Sequence, residues 1–139
     1  MKEWICTILG VIGSAIAGAF GGWDIALIAL ITSMAVDYVS GLIVAGVFKK
    51  SSKTESGALE SHAGWKGLCR KGMTLLLVLI SHMLDLVIGA TYIRDAVCIA
   101  FMVNEVISIV ENAGLMGMPI PTVLKSAIDI LQKKSEREE

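Results

Sequence analysis

The sequence predicts an all-α polytopic membrane protein with about four transmembrane helices and a C-terminal amphipathic helix. Three observations carry that prediction. Hydrophobic residues make up 55% of the 139 residues and mean hydropathy is +0.72, well above the level of soluble globular domains. Four apolar stretches follow one another, at lengths approaching the ~20 residues that cross a bilayer, and a soluble domain of this size could not hide so much apolar surface. Finally, of the 12 Lys and Arg, all but Arg94 lie at the chain ends or in one long polar loop. Four crossings place the loop and both termini on the cytoplasmic side under the positive-inside rule.

The first predicted helix, 4–22, is bracketed by Trp4 and Trp23, and tryptophan favours the headgroup level. Its opening Met1-Lys2-Glu3 resembles a signal peptide, but Gly21-Gly22 offers weak cleavage chemistry and the apolar sequence continues, so a retained helix is expected. Gly10, Ser14, Gly18 and Gly22 recur every four residues and form a ridge that another helix can approach closely. The second helix, 25–48, repeats the device with Ser33, Gly41 and Ala45, and Asp37 falls in the same row. Such ridges serve packing inside a chain or self-association, the former more often.

The loop 49–72 is basic and polar, and Trp65, Lys66, Arg70 and Lys71 are expected to anchor it on anionic headgroups. In the third helix, 73–93, His82 and Asp85 lie one turn apart. The fourth, 96–118, carries Asn104 and Glu105. Counted from the ends of each segment, Asp37, His82, Asp85 and Glu105 all fall near the bilayer midplane. Carboxylates at that depth are costly and face a bundle interior or a watery cavity. A shared polar layer is therefore expected, either as hydrogen-bonded glue between helices or, with Asn104, lining an aqueous route through assembled subunits. In the last segment, 121–139, Leu124, Ala127, Ile128 and Leu131 share one face while Lys125, Asp129, Lys133 and Lys134 lie opposite. That helix is expected on the membrane surface or against the basic loop.

Cys6, Cys69 and Cys98 are odd in number and without metal spacing, which argues against a disulfide framework. The sequence carries no phosphate-binding glycine loop, no metal-ligand pair and no nucleophile with an identifiable base. No enzyme, cofactor, metal or nucleic-acid partner is expected, and the chain reads as a single membrane domain over 1–139.

Four segments together resemble a known family. They are Asp37-Tyr38-Val39-Ser40-Gly41-Leu42, His62-Ala63-Gly64-Trp65-Lys66-Gly67-Leu68 leading into Arg70-Lys71, Ser81-His82-Met83-Leu84-Asp85, and Asn104-Glu105 through Glu111-Asn112-Ala113-Gly114 to Pro119-Ile120-Pro121. In order and spacing they are similar to the phage-lysis and toxin-secretion holins of Gram-positive bacteria and their phages, over about residues 24–131. The resemblance implies a homo-oligomer in the bacterial cytoplasmic membrane whose lesions release an endolysin or a large toxin without stable direct binding. The residues alone also allow a small proton-coupled transporter or a structural membrane subunit.

Overall fold

The computed structural model describes residues 1–138. It contains α1 (Lys2–Ala19), α2 (Ile25–Ile43), α3 (Ser61–Ile88), α4 (Ile93–Leu115) and α5 (Thr122–Glu138), and α2 is extended by a π turn over Val44–Phe48. No strand occurs among the described residues. Glu139, the end of the expected tail, lies outside them.

Local chemistry fixes each boundary. α1 runs into Gly21 and Gly22, whose φ values of 87° and 95° lie in the left-handed region that glycine alone enters freely. Asp24 then caps α2 by accepting from the Leu27 N–H at 3.1 Å. The π turn ends at Lys49, the one non-glycine residue with positive φ among those described. α3 begins at Ser61, about three turns ahead of the apolar onset at Met73. The polar stretch before Met73 holds no proline, and its Ala, Leu, Lys and Arg favour helix, so what reads as loop in hydropathy is helix in backbone. The same helix stops at Gly89 (φ 70°) rather than near residue 93, a left-handed C-terminal cap. α4 starts earlier than expected because the Asp85 carboxylate accepts from the backbone N–H groups of Ile93 and Arg94, both at 3.0 Å. This satisfies two of the donors a helix start leaves open. Gly117 (φ 81°) and then Pro119 and Pro121 end α4 and separate it from α5.

α2, α3 and α4 form the packed unit. Leu27, Leu30, Met34, Val78 and Cys98 make its buried core, with Phe20, Leu75 and Phe101 against it. Large apolar side chains cover the outside: Leu76, Ile80, Leu86 and Val87 on α3 are exposed, which suits hydrocarbon rather than water. α1 stands nearly free, with Ala17 as its only buried residue. Three helices are long and apolar enough to cross a membrane, namely Lys2–Ala19, Ile25–Phe48 and Ser61–Ile88, with mean hydropathies of 1.3, 2.0 and 1.8. α4 is absent from that set.

α5 departs from expectation. It packs along α4 rather than on the basic loop. Its C-terminal Lys134 and Arg137 share a cavity with Tyr92, Asp95 and Ile99 at the far end of α4, so α5 runs antiparallel to α4 over most of its length. Lys134 and Arg137 thereby stand at the Arg94 end of the molecule, apart from the loop with which they were expected to be grouped.

Candidate functional site

One of the expected midplane acids, Asp37, is buried about halfway along the second helical segment. Lys71 of α3 reaches it, its Nζ donating to Asp37 Oδ2 at 2.7 Å and to Glu105 Oε2 of α4 at 2.5 Å. Asn112, about two turns further along α4, donates from Nδ2 to Ser40 Oγ at 2.8 Å and to Asp37 Oδ1 at 3.3 Å. Three helices are thus tied by one ammonium and two carboxylates, a formal charge of −1. The side chains of Lys71, Asp37 and Glu105 are 15%, 6% and 15% exposed, and ions so far out of water persist only when paired and hydrogen-bonded.

A cavity of about 480 Å³ leads from this cluster to the loop. Tyr38 and Gly41 of α2 form one wall, Gly64, Gly67 and Arg70 of α3 the other, and loop residues such as Lys53 the mouth. Tyr38 lies against Gly64 and Gly67 of α3, where a Cβ would stand 3.4 Å from its hydroxyl and 3.8 Å from its ring, ordinary contact distances.

A second polar cluster sits at the other end, where the two helical turns meet. Arg94 is buried and donates to the Phe20 carbonyl (2.5 Å) and the Gly22 carbonyl (3.3 Å). Its guanidinium also holds Asp24 with both Nη atoms, at 2.6 and 3.0 Å, and Asp95 at 3.0 Å. The planar fork suits bidentate pairing with a carboxylate. Arg94 holds the Asp24 carboxyl below its usual range, against a smaller opposing push from burial. A Cβ on Gly21 would come to 2.9 Å from His82 Nδ1 and 3.2 Å from Arg94 Nε, so this turn accepts only glycine without displacement.

The expected single polar layer is therefore two. Asp37 and Glu105 come together, and Asn104 lies on the cavity wall beside them, but Asp85 caps α4 and His82 flanks the Arg94 turn. The reason is that α3 ends at Gly89, which brings Asp85 within a turn of its end. Lys71 is not a surface anchor: it turns inward to the acids, while Trp65, Lys66 and Arg70 remain exposed. Gly22 joins the Arg94 turn through its carbonyl instead of extending a ridge. Gly10 and Gly18 have nothing within 4 Å of a built Cβ, and Ser14 is exposed, so the α1 ridge meets no partner among the described residues. Of the α2 row, Ala45 is buried, Ser33 is partly buried and Gly41 faces Asn112 Nδ2 at 3.8 Å. Sequence reasoning overlooked Ser40, Asn112, Asp24 and the inward role of Lys71. The available signal was charge matching: a lysine two residues before an apolar run, opposite acids within neighbouring runs, and a lone Arg94 opposite Asp24 at the paired turn.

Among the described residues no group of three or more His, Cys, Asp or Glu is placed to hold a metal ion, and Cys6, Cys69 and Cys98 are free thiols. The model of the bacteriophage holin family matches residues 14–133. An uncharacterized protein of Halalkalibacterium halodurans is 38% identical over 138 residues, covering 95% of this chain and 94% of its own. An uncharacterized protein of Listeria monocytogenes is 40% identical over 133 residues, covering 95% and 89%. A protein of Bacillus phage phi105 named as a probable holin is 25% identical over 103 residues, covering 73% and 70%. No solved structure matches the chain. With three apolar helices long enough to cross a membrane and a family description spanning most of its length, the chain belongs to the bacteriophage holin family.

Proposed function

We propose that this protein oligomerises in the bacterial cytoplasmic membrane and opens lesions through which a muralytic enzyme or a large toxin leaves the cell. The observation that carries the reading is the cluster of Asp37, Lys71 and Glu105, three ionisable side chains held out of water between membrane-length apolar helices. Such a cluster is stable while its helices stay together and favours water once they part. α1, α2, α3 and α4 cross the membrane with the loop on the cytoplasmic side, and α4 tolerates Glu105 and Asn112 because α2 and α3 cover them. The membrane potential acts on buried charge with about 2.3 kcal/mol per elementary charge per 100 mV, so its collapse shifts the balance between closed and hydrated assemblies.

The test is expression in a bacterium together with a muralytic enzyme, with a potential-sensitive dye read alongside culture density. Abrupt lysis dependent on both proteins is expected; a culture that keeps its potential and never lyses sinks the reading. The cavity that reaches the acids from the loop favours a second reading, a proton-coupled transporter, which predicts solute accumulation without release of a cytoplasmic enzyme. Topology is checked by an impermeant thiol reagent on intact cells before lysis. It should reach a cysteine replacing Asp24 and miss one replacing Ser56.

A further inference from the structure

We propose that α5, docked along α4, is the water-facing wall of the lumen in the assembled lesion; this rests on the lesion-forming function proposed above. α4 lies at the depth of the membrane-crossing helices, since its Glu105 shares Lys71 with Asp37 of α2. α5 lies on α4 through Ile128, which is buried, and through the partly buried Leu131, Gln132 and Ser135, spaced as one helical face. At 1.5 Å per residue its 17 residues extend about 25 Å, most of the ~30 Å hydrocarbon thickness. Lys134 and Arg137 reach the far end of α4.

The outer face of this helix carries Lys125, Asp129, Lys133, Lys134, Glu136 and Arg137, all exposed. Six charges cannot face lipid over such a span. The exposed side chains of α1 and α3 are instead mostly apolar, among them Ile5, Leu9, Ile12, Leu76, Leu86 and Val87. One side of the molecule therefore suits lipid and another suits water, and a ring of copies meets both demands with α5 turned inward. Four cations against two anions give that face a formal net charge of +2 per copy and keep the lumen hydrated.

The full chain, with Cys6 and Cys69 replaced by serine, is reconstituted in phosphatidylglycerol–phosphatidylethanolamine vesicles loaded with a fluorescent dextran. In one variant Lys134→Cys and Ile99→Cys are bridged by a short bis-maleimide. The bridge should form, and the locked protein should still release dextran. In another, Asp129→Cys carries a bulky maleimide, which should slow release several-fold, while the same group on Leu76→Cys leaves the rate unchanged. Should Asp129→Cys be inactive before labelling, Lys133→Cys takes its place. Failure of the bridge, an inert locked protein, or equal rates after labelling at the two positions overturns the assignment of α5. Absence of release from the parent protein overturns lesion formation itself.

Discussion

Lys71 and Arg94 are each a single cation facing two carboxylates, yet they sit in opposite surroundings. The partners of Lys71 are 6% and 15% exposed, whereas those of Arg94 are 46% and 51% exposed. Around Lys71 little water screens the charges, so the ions depend on one another. Around Arg94 water screens the carboxylates, and what the guanidinium contributes is shape: it gathers the Phe20 and Gly22 carbonyls and Asp24, fixing where α1 leaves the bundle. The same stoichiometry thus serves as a charge lock in one place and as a corner brace in the other.

The comparison breaks most visibly at Lys71. Lys71→Met keeps the bulk of the side chain but leaves two carboxylates facing each other, and losing one partner of a buried ion pair destabilises by about 3–5 kcal/mol. Thermal unfolding in detergent should show that loss, and adding Asp37→Asn with Glu105→Gln should recover most of it. If the single variant unfolds as the parent does, Lys71 is not a lock.

Arg94→Lys should cost less, about 2 kcal/mol, because the lysine keeps a charge but cannot make the fork to Asp24 while also serving both carbonyls. The informative readout is protease sensitivity at the α1–α2 turn, which should rise although the α2–α4 core stays protected. Equal protection at the turn in both proteins would remove the brace.

Asp37→Asn sharpens the contrast on function. It leaves Lys71 with Glu105 as a neutral pair and preserves hydrogen-bonding groups, so the fold should change little. Onset of lysis after an uncoupler pulse, at matched membrane protein levels, should shift away from the parental time. Parental timing would separate the cluster from triggering and leave helix packing as the determinant.

Hydropathy made the fold class and three crossing helices legible, because apolar runs of that length admit few alternatives. It misplaced the start of α3 because hydropathy measures lipid preference, not helix formation, and Ser61–Gly72 is polar yet helical. The acids Asp37 and Glu105 could be picked out singly, but their joint partner could not. Lys71 stands at the edge of an apolar run, where a surface anchor and an inward-turned ion look alike in one dimension. The two ridges show the same limit: Gly41 of α2 faces Asn112 while Gly18 of α1 faces nothing within 4 Å, although their spacing is identical. Asp85 and His82 part from Asp37 and Glu105 because α3 ends at Gly89 rather than near residue 93, which sets both beside the Arg94 turn. The path of α5 was illegible for a different reason, since an amphipathic face states that it will pack without saying on what.

The smallest expected effect belongs to Asp24, and it tests the solvent-screened side of the comparison. Arg94 lowers the carboxyl below its ordinary value in the folded protein, so the ion pair stabilises the fold above the unfolded-state pKa of about 4. That contribution is lost as pH falls from there through the lowered folded value, because the unfolded chain takes up its proton first. With Asp24 half exposed, the pair contributes below about 1 kcal/mol. Unfolding temperature in detergent should therefore be flat from pH 7 down to about 5 as far as this group is concerned, then fall slightly more in the parent than in Asp24→Asn. Added salt should narrow the difference, since exposed pairs are screened. If the two proteins instead diverge strongly and salt has no effect, water does not reach this corner, and Arg94 would be a buried charge lock of the same kind as Lys71.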